Sequence, residues 1–251
     1  MYQKLHFDEK YRKVIRELVN NGQFKINANG KLEPADPKGV LNSPWVFMGP
    51  QARRKHCQIW NAIYCGKFGL IPRVCRFHCW KTVIKPRNVL ELFKLADVLT
   101  LLNLPSKCGA DRRNYTYGAW AGFVYADSLE EGKEYYRQVR DAVDMAISKD
   151  VEVILKRGCT EMEMLKSSDQ WDDWPEEERQ LEWQLDDLFC LNEINFSQSQ
   201  WLINDIKEGW ILRAIEIGDP TARQALELYS GQKDLWDKLV SHPVTYHDKE
   251  G

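Results

Sequence analysis

The sequence predicts an α+β protein, and three observations predict it. Two capping boxes, Asn88 with Glu91 and Ser128 with Glu131, start segments whose apolar residues recur at helical spacing. Around them lie short runs rich in β-branched and aromatic residues: KTVIK at 81–85, a pair at 108–114 and 117–126, and VEVILK at 151–156. After Cys159 the chain changes character, an acidic, tryptophan-rich stretch leading into a helical C-terminal part.

Each element has a local reason. Asp8 caps a helix over 8–20 with Val14, Ile15 and Leu18 as its apolar stripe, and Asn21-Gly22 ends it. QFKINANGKLEP reads as a hairpin around Asn29-Gly30, and PADPKGVLNSP as a turn-rich connector. A helix over 51–64 places Cys57, Trp60 and Tyr64 on one side, and Cys65-Gly66 closes it. The strand at 81–85 leads through Pro86 into a helix at 88–102, which LPSKCG breaks. Two strands follow. The helix at 128–147 then presents Tyr136, Val139, Val143 and Ile147 before the last strand. This β-α-β-β-α-β order is that of the ferredoxin-like, split βαβ arrangement, with sheet order 4-1-3-2 and antiparallel neighbours. Beyond it come an acidic stretch, in which Trp171 and Trp174 pack on a loop, and helices near 176–190, 199–216, 220–229 and 232–240. The division expected is an N-terminal helix, hairpin and basic cysteine-containing segment over 1–74, a ferredoxin-like domain over 75–160, and an acidic helical part over 161–251.

Hydrophobic residues make up 43% of the 251, enough for a core. No apolar window is long enough to span a bilayer, and the charged MYQKLHFDEKYRK start lacks a signal core, so a cytoplasmic protein is expected. Seven cysteines in a reducing compartment are read as buried thiols, metal ligands or reactive groups rather than disulfides. Charge is polarised: residues 1–90 hold 17 Lys+Arg against 5 Asp+Glu, and residues 151–251 hold 10 against 22. Either a basic face awaits an anionic partner or the two halves attract each other.

The densest chemistry is PRVCRFHCWK, residues 72–81. In the expected topology the first strand starts where the fourth ends, so Cys159 reaches Cys75 and Cys79, while Cys108 stands two strands off. Four thiolates hold zinc or an iron–sulfur cluster. The sequence-local set is Cys57, Cys65, Cys75 and Cys79, with His56, His78 and Cys159 as alternatives. Cys159 also precedes a capping box, Thr160 with Glu163, near Arg157; that field favours thiolate and makes it the candidate nucleophile, although the sequence sets no base beside it. Glu161, Glu163, Asp172 and Asp173 read as a solvated acidic face before they read as magnesium ligands.

Arg53, Arg54, Lys55, Arg73, Arg76, Lys81 and Arg87 surround the cysteines, interleaved with Trp60, Phe68, Phe77 and Trp80, a pattern suited to phosphates and bases. Arg112, Arg113 and Tyr115 join them if the neighbouring strands are open. GFVYADSLEEG, residues 122–132, resembles the third strand and following turn of an RNA-recognition motif, with Gly122, Phe123 and Val124 matching its Gly-aromatic-Val core. The resemblance is confined to this segment and implies base stacking by Phe123; the residue pattern itself reads Phe123 equally as core. The leading expectation is a cysteine-ligated metal protein, zinc before iron–sulfur, with a nucleic-acid-binding surface. The rivals are an enzyme using an iron–sulfur cluster or the Cys159 thiolate on a small substrate, and a non-catalytic inhibitor using its acidic half.

Overall fold

The computed structural model describes residues 9–35, 43–50, 57–190 and 198–229. Helix α1 (Glu9–Asn20) leads into a hairpin of β1 (Phe24–Ile26) and β2 (Leu32–Pro34), and β3 (Trp45–Met48) follows. A continuous helical run then comprises α2 (Cys57–Ile59), a π-helical turn over Trp60–Cys65 and α3 (Gly66–Phe68). The centre is α4 (Arg73–Phe77), β4 (Trp80–Lys85), α5 (Val89–Leu102), β5 (Ser106–Ala110), β6 (Trp120–Ala126), α6 (Leu129–Ala146) and β7 (Glu152–Arg157). The remainder is α7 (Thr160–Glu163), α8 (Glu176–Leu188), α9 (Gln200–Glu216) and α10 (Ala222–Tyr229). The expected cap at Asp8, the start of the helix at 51–56 and the helix at 232–240 fall outside the described residues. Among the described residues no helix is long and apolar enough to cross a membrane.

Both capping boxes form. Asn88 Oδ1 accepts from Glu91 N at 2.9 Å while the Glu91 carboxylate turns back to Arg87 N at 2.8 Å. Ser128 Oγ accepts from Glu131 N at 3.1 Å, and Glu131 returns to Asp127 N at 2.7 Å. These reciprocal bonds satisfy amides that the first helical turn leaves without partners.

The sheet has five antiparallel strands in the order β3-β5-β6-β4-β7. The expected neighbours at 81–85 and 151–156 are paired, Trp80 opposite Arg157. The fifth strand was not expected: β3 lies antiparallel along β5, so close that a Cβ on Gly109 would strike the Pro44 carbonyl.

Side chains alternate across a strand, so the register assigns every residue to a face. One face (Val46, Met48, Ile84, Cys108, Ala110, Trp120, Val124 and Val153) shares a core with α5, α6, α9 and α10. Helix α5 is buried on nearly every side, and Asp219 ties α10's approach to it by accepting from Val89 N (2.7 Å) and Trp120 Nε1 (3.1 Å). The opposite face carries the cross-strand row Phe47, Lys107, Phe123, Val83, Ile154, flanked by Lys81, Tyr125, Lys85 and Lys156.

A second core joins α1, the hairpin, the π-helical turn and α8 through Leu18, Phe24, Leu32, Tyr64, Leu185 and Phe189. Here the basic and acidic parts of the sequence meet. Arg76 pairs with Glu178, Lys31 stands 3.7 Å from Asp187, and Glu182 accepts two bonds from Arg73 N at 2.8 and 2.9 Å. The charge polarity is therefore spent partly inside the molecule.

Candidate functional site on the open sheet face

The site is built where β4 begins and β7 ends. Cys79 immediately precedes β4. Gly158, immediately after β7, donates to the Cys79 carbonyl at 2.7 Å and adopts φ +64°, a conformation that favours glycine. That turn places Cys159 at the N-cap of α7 and beside Lys81, whose Nζ lies 2.7 Å from the Cys159 sulfur. The Cys79 thiol hydrogen-bonds the same sulfur.

The electrostatics follow. The Cys79 hydrogen bond holds the Cys159 thiol well below the ordinary thiol range; burial and Glu161 oppose it, and the Lys81 ammonium reinforces it. Burial works against the charge of Lys81, only 8% exposed, but the Cys159 and Cys79 sulfurs and Tyr125 outweigh it and raise its pKa above the usual lysine value. The geometry sets the Cys159 sulfur against a buried lysine, and both shifts favour the charged forms of the pair.

Beside this pair is a cavity of about 160 Å³ with an apolar floor of Val83, Phe123 and Ile154 and a rim of Lys81, Lys85, Arg113 and Lys156. Arg113 chelates Asp111 at 2.9 and 2.8 Å and reaches Glu161 at 2.9 Å, and Tyr115 donates to Glu161 at 2.7 Å. Glu163 pairs with Lys156. The residues read from the sequence as a solvated acidic face thus include two, Glu161 and Glu163, that brace the site. A larger hollow of about 470 Å³ between Tyr11, Leu70 and α8 is lined by glutamates and glutamines and contains no nucleophile.

The other expected ligands are placed as follows. Cys75 is packed with Ile71, Met162 and Trp171, and burial pushes its thiol well up. Cys65 is partly buried and donates to the Glu161 carbonyl at 3.6 Å; burial and Glu161 raise its pKa. Cys57 opens α2, partly buried, within electrostatic range of Cys75. His78 is exposed at the end of α4. Cys108 points into the helix-side core. Among the described residues no three His, Cys, Asp or Glu side chains are grouped so as to hold a metal ion. None of the seven cysteines is in a disulfide.

Among the described residues the basic side chains expected to meet nucleic acid do not share a face. Arg53, Arg54 and Lys55 lie outside the described residues. Arg76 is 1% exposed, with Nε on Ile71 O (2.9 Å) and Nη1 on Trp171 O (3.2 Å) and Asp173 O (2.9 Å); it is a structural cation. Lys81 faces Cys159. Arg73 is exposed at the start of α4, whereas Arg87 follows β4 and is held by Glu91 and Asp150. Phe123, expected as core or stacking platform, is 8% exposed under three cations. No family model matches this chain, nor does any curated protein or solved structure.

Proposed function

We propose that this chain is a thiol-dependent enzyme in which the Cys159 thiolate attacks a small anionic substrate seated over Phe123. The observation that carries it is the Lys81–Cys159 ion pair at 2.7 Å, completed by the Cys79 thiol. A thiolate is the nucleophilic form of cysteine, and a neighbouring cation is the usual means of keeping it ionised near neutral pH. Lys81 lines the cavity as well as holding the sulfur, so it links substrate to nucleophile. Lys85, Arg113 and Lys156 supply further positive potential, softened by Asp111, Glu161 and Glu163. A cavity of this size admits a small carboxylate or phosphate ester rather than a polymer.

The ferredoxin-like reading belongs with this proposal. Strands β7-β4-β6-β5, covered by α5 and α6 on one face, leave the other face for the ligand. A thiolate of this kind persists in a reducing compartment, so the cytoplasmic location goes with it. Zinc or iron–sulfur chemistry draws support from the electrostatic proximity of Cys65, Cys75 and Cys79 to Cys159 and of Cys57 to Cys75, but among the described residues no three such side chains are grouped for a metal, so they would have to close up. Nucleic-acid binding draws less, because Arg76 and Lys81 are internal, Arg73 is on α4 and Arg87 is held by Glu91 and Asp150 beyond the end of β4.

Alkylation with iodoacetamide, mapped by mass spectrometry across pH, tests the proposal. Cys159 reacts first and below the pH at which an ordinary thiol ionises, and Lys81→Met moves its profile to higher pH. Reaction of Cys159 no faster than Cys65, or a profile indifferent to Lys81, would overturn it.

A further inference from the structure

We propose that Lys107 is a second reactive group on this face, an amine that condenses with an anionic carbonyl compound. Lys107 is the β5 member of the cross-strand row, with Phe47 opposite on one side and Phe123 on the other. Its Nζ lies 4.4 Å from the Trp45 ring centroid, 5.5 Å from that of Phe123 and 5.8 Å from that of Phe47. Among the described residues this nitrogen has no hydrogen-bond acceptor and no carboxylate. The three ring faces are the contacts of this nitrogen and attract an ammonium, but they neutralise none of its charge. The nearby carboxylates, Asp111 and Glu161, are both taken by Arg113.

Against the attraction of the rings for an ammonium, burial and the neighbouring cations favour the neutral amine. Burial among the rings is the first cause, and Lys81 from β4 and Arg113 from the loop after β5 add repulsion; Cys57 from α2 and Cys159 from the start of α7 oppose them. The net effect lowers the pKa to about 8. Lys107 is partly buried, and a lysine beside other cations is the arrangement that makes an amine nucleophilic near neutral pH.

The same residues choose the substrate. Lys81, Lys107 and Arg113 all stand within 6 Å of the centre of the Phe123 ring, at 5.9, 5.5 and 5.8 Å. Lys81, Arg113 and Phe123 line the cavity and Lys107 stands behind that lining at the Phe123 ring, so a molecule held by Lys81 and Arg113 must extend past the ring to bring its carbonyl to Lys107. The amine lone pair attacks the carbonyl carbon, the carbonyl electron pair takes up a proton, and the carbinolamine expels water. Amine and carbonyl become imine and water, with no change of oxidation state. The assignment stands apart from the Cys159 reading, because it needs no sulfur.

The test uses the whole chain with pyruvate as the probe and cyanoborohydride to reduce and trap any imine, followed by peptide mapping. One adduct per chain is expected, on Lys107, rising with pH around 8. It should persist in Cys159→Ser, so that failure of the thiolate proposal leaves this one standing, and it should vanish in Lys107→Arg. Acetone, a carbonyl without the anion, should label about tenfold less. Adducts spread over exposed lysines in wild-type protein, or equal labelling by acetone, overturn the proposal without recourse to any variant.

Discussion

Replacing Gly158 by Ala tests the fold and the site together. Gly158 adopts φ +64°, where a side chain costs about 1–2 kcal/mol. An added Cβ would also stand against the six-membered ring of Trp171, well inside contact distance. Trp171 is 0% exposed and its Nε1 is held by the Lys166 carbonyl at 2.7 Å, so it cannot simply swing away. Overpacking of this kind costs about 1–3 kcal/mol. The sum is about 2–5 kcal/mol, or roughly 5–15 °C in Tm for a chain of this length. Thermal and denaturant unfolding measure it. Because Gly158 aims Cys159 at Lys81, the variant should also lose the preferential alkylation of Cys159. The two terms separate in a double-mutant cycle: Trp171→Phe shortens the ring that meets the new Cβ, so Gly158→Ala should cost less in that background, with a coupling of about 0.5–3 kcal/mol. A loss under about 1 kcal/mol, or none of that coupling, would refute the packing account.

Two further outcomes are expected elsewhere. Arg76→Met leaves the Ile71, Trp171 and Asp173 carbonyls without their donor and Glu178 without its cation, and should cost about 3–5 kcal/mol in denaturant unfolding. Arg76→Lys, which lacks the planar fork, should recover less than half of it. Glu182 concerns pH. Burial first, then Asp186, pushes its carboxyl from 4.5 up to about 7, against the Arg73 N–H bonds and the charges of Arg76 and Arg73. The folded state therefore keeps a proton that the unfolded chain has released. Its contribution to stability is fully present below about pH 4.5 and is lost as pH rises through 7. Wild-type protein should lose on the order of 1–3 kcal/mol more than Glu182→Gln between pH 5 and pH 8; parallel profiles would remove Glu182 as the cause.

The elements that were legible in the sequence are those specified locally. Asn88 with Glu91 and Ser128 with Glu131 need only their own neighbours to start a helix, and KTVIK and VEVILK need only their β-branched content. Their order then implied that β4 and β7 pair, which brought Cys159 to Cys79. Strand β3 was missed because WVFM shows no polar alternation: one of its faces meets the helix-side core, and the other supplies the rings around Lys107. Arg76 read as a phosphate contact because sequence gives a residue's charge and not its partner, and its partners lie about a hundred residues away at Trp171, Asp173 and Glu178.

Lys107 carried no signal for a related reason. In LPSKCG it is a lone lysine in what reads as a helix breaker, and only the register shows it between Phe47 and Phe123. The whole site shares this character. Lys81, Lys107, Arg113 and Cys159 come from the start of β4, from β5, from the loop after it and from the N-cap of α7, and apart from Lys107 and Arg113 they are far apart in sequence. Because α5, α6, α9 and α10 cover one face, the polar members of these strands are forced onto the other, where there is too little carboxylate to pair every cation. Cys159 meets part of that shortfall as a thiolate and Lys107 meets it by giving up its proton more readily. The two proposed reactive groups thus share one cause, a crowded, cation-rich sheet face.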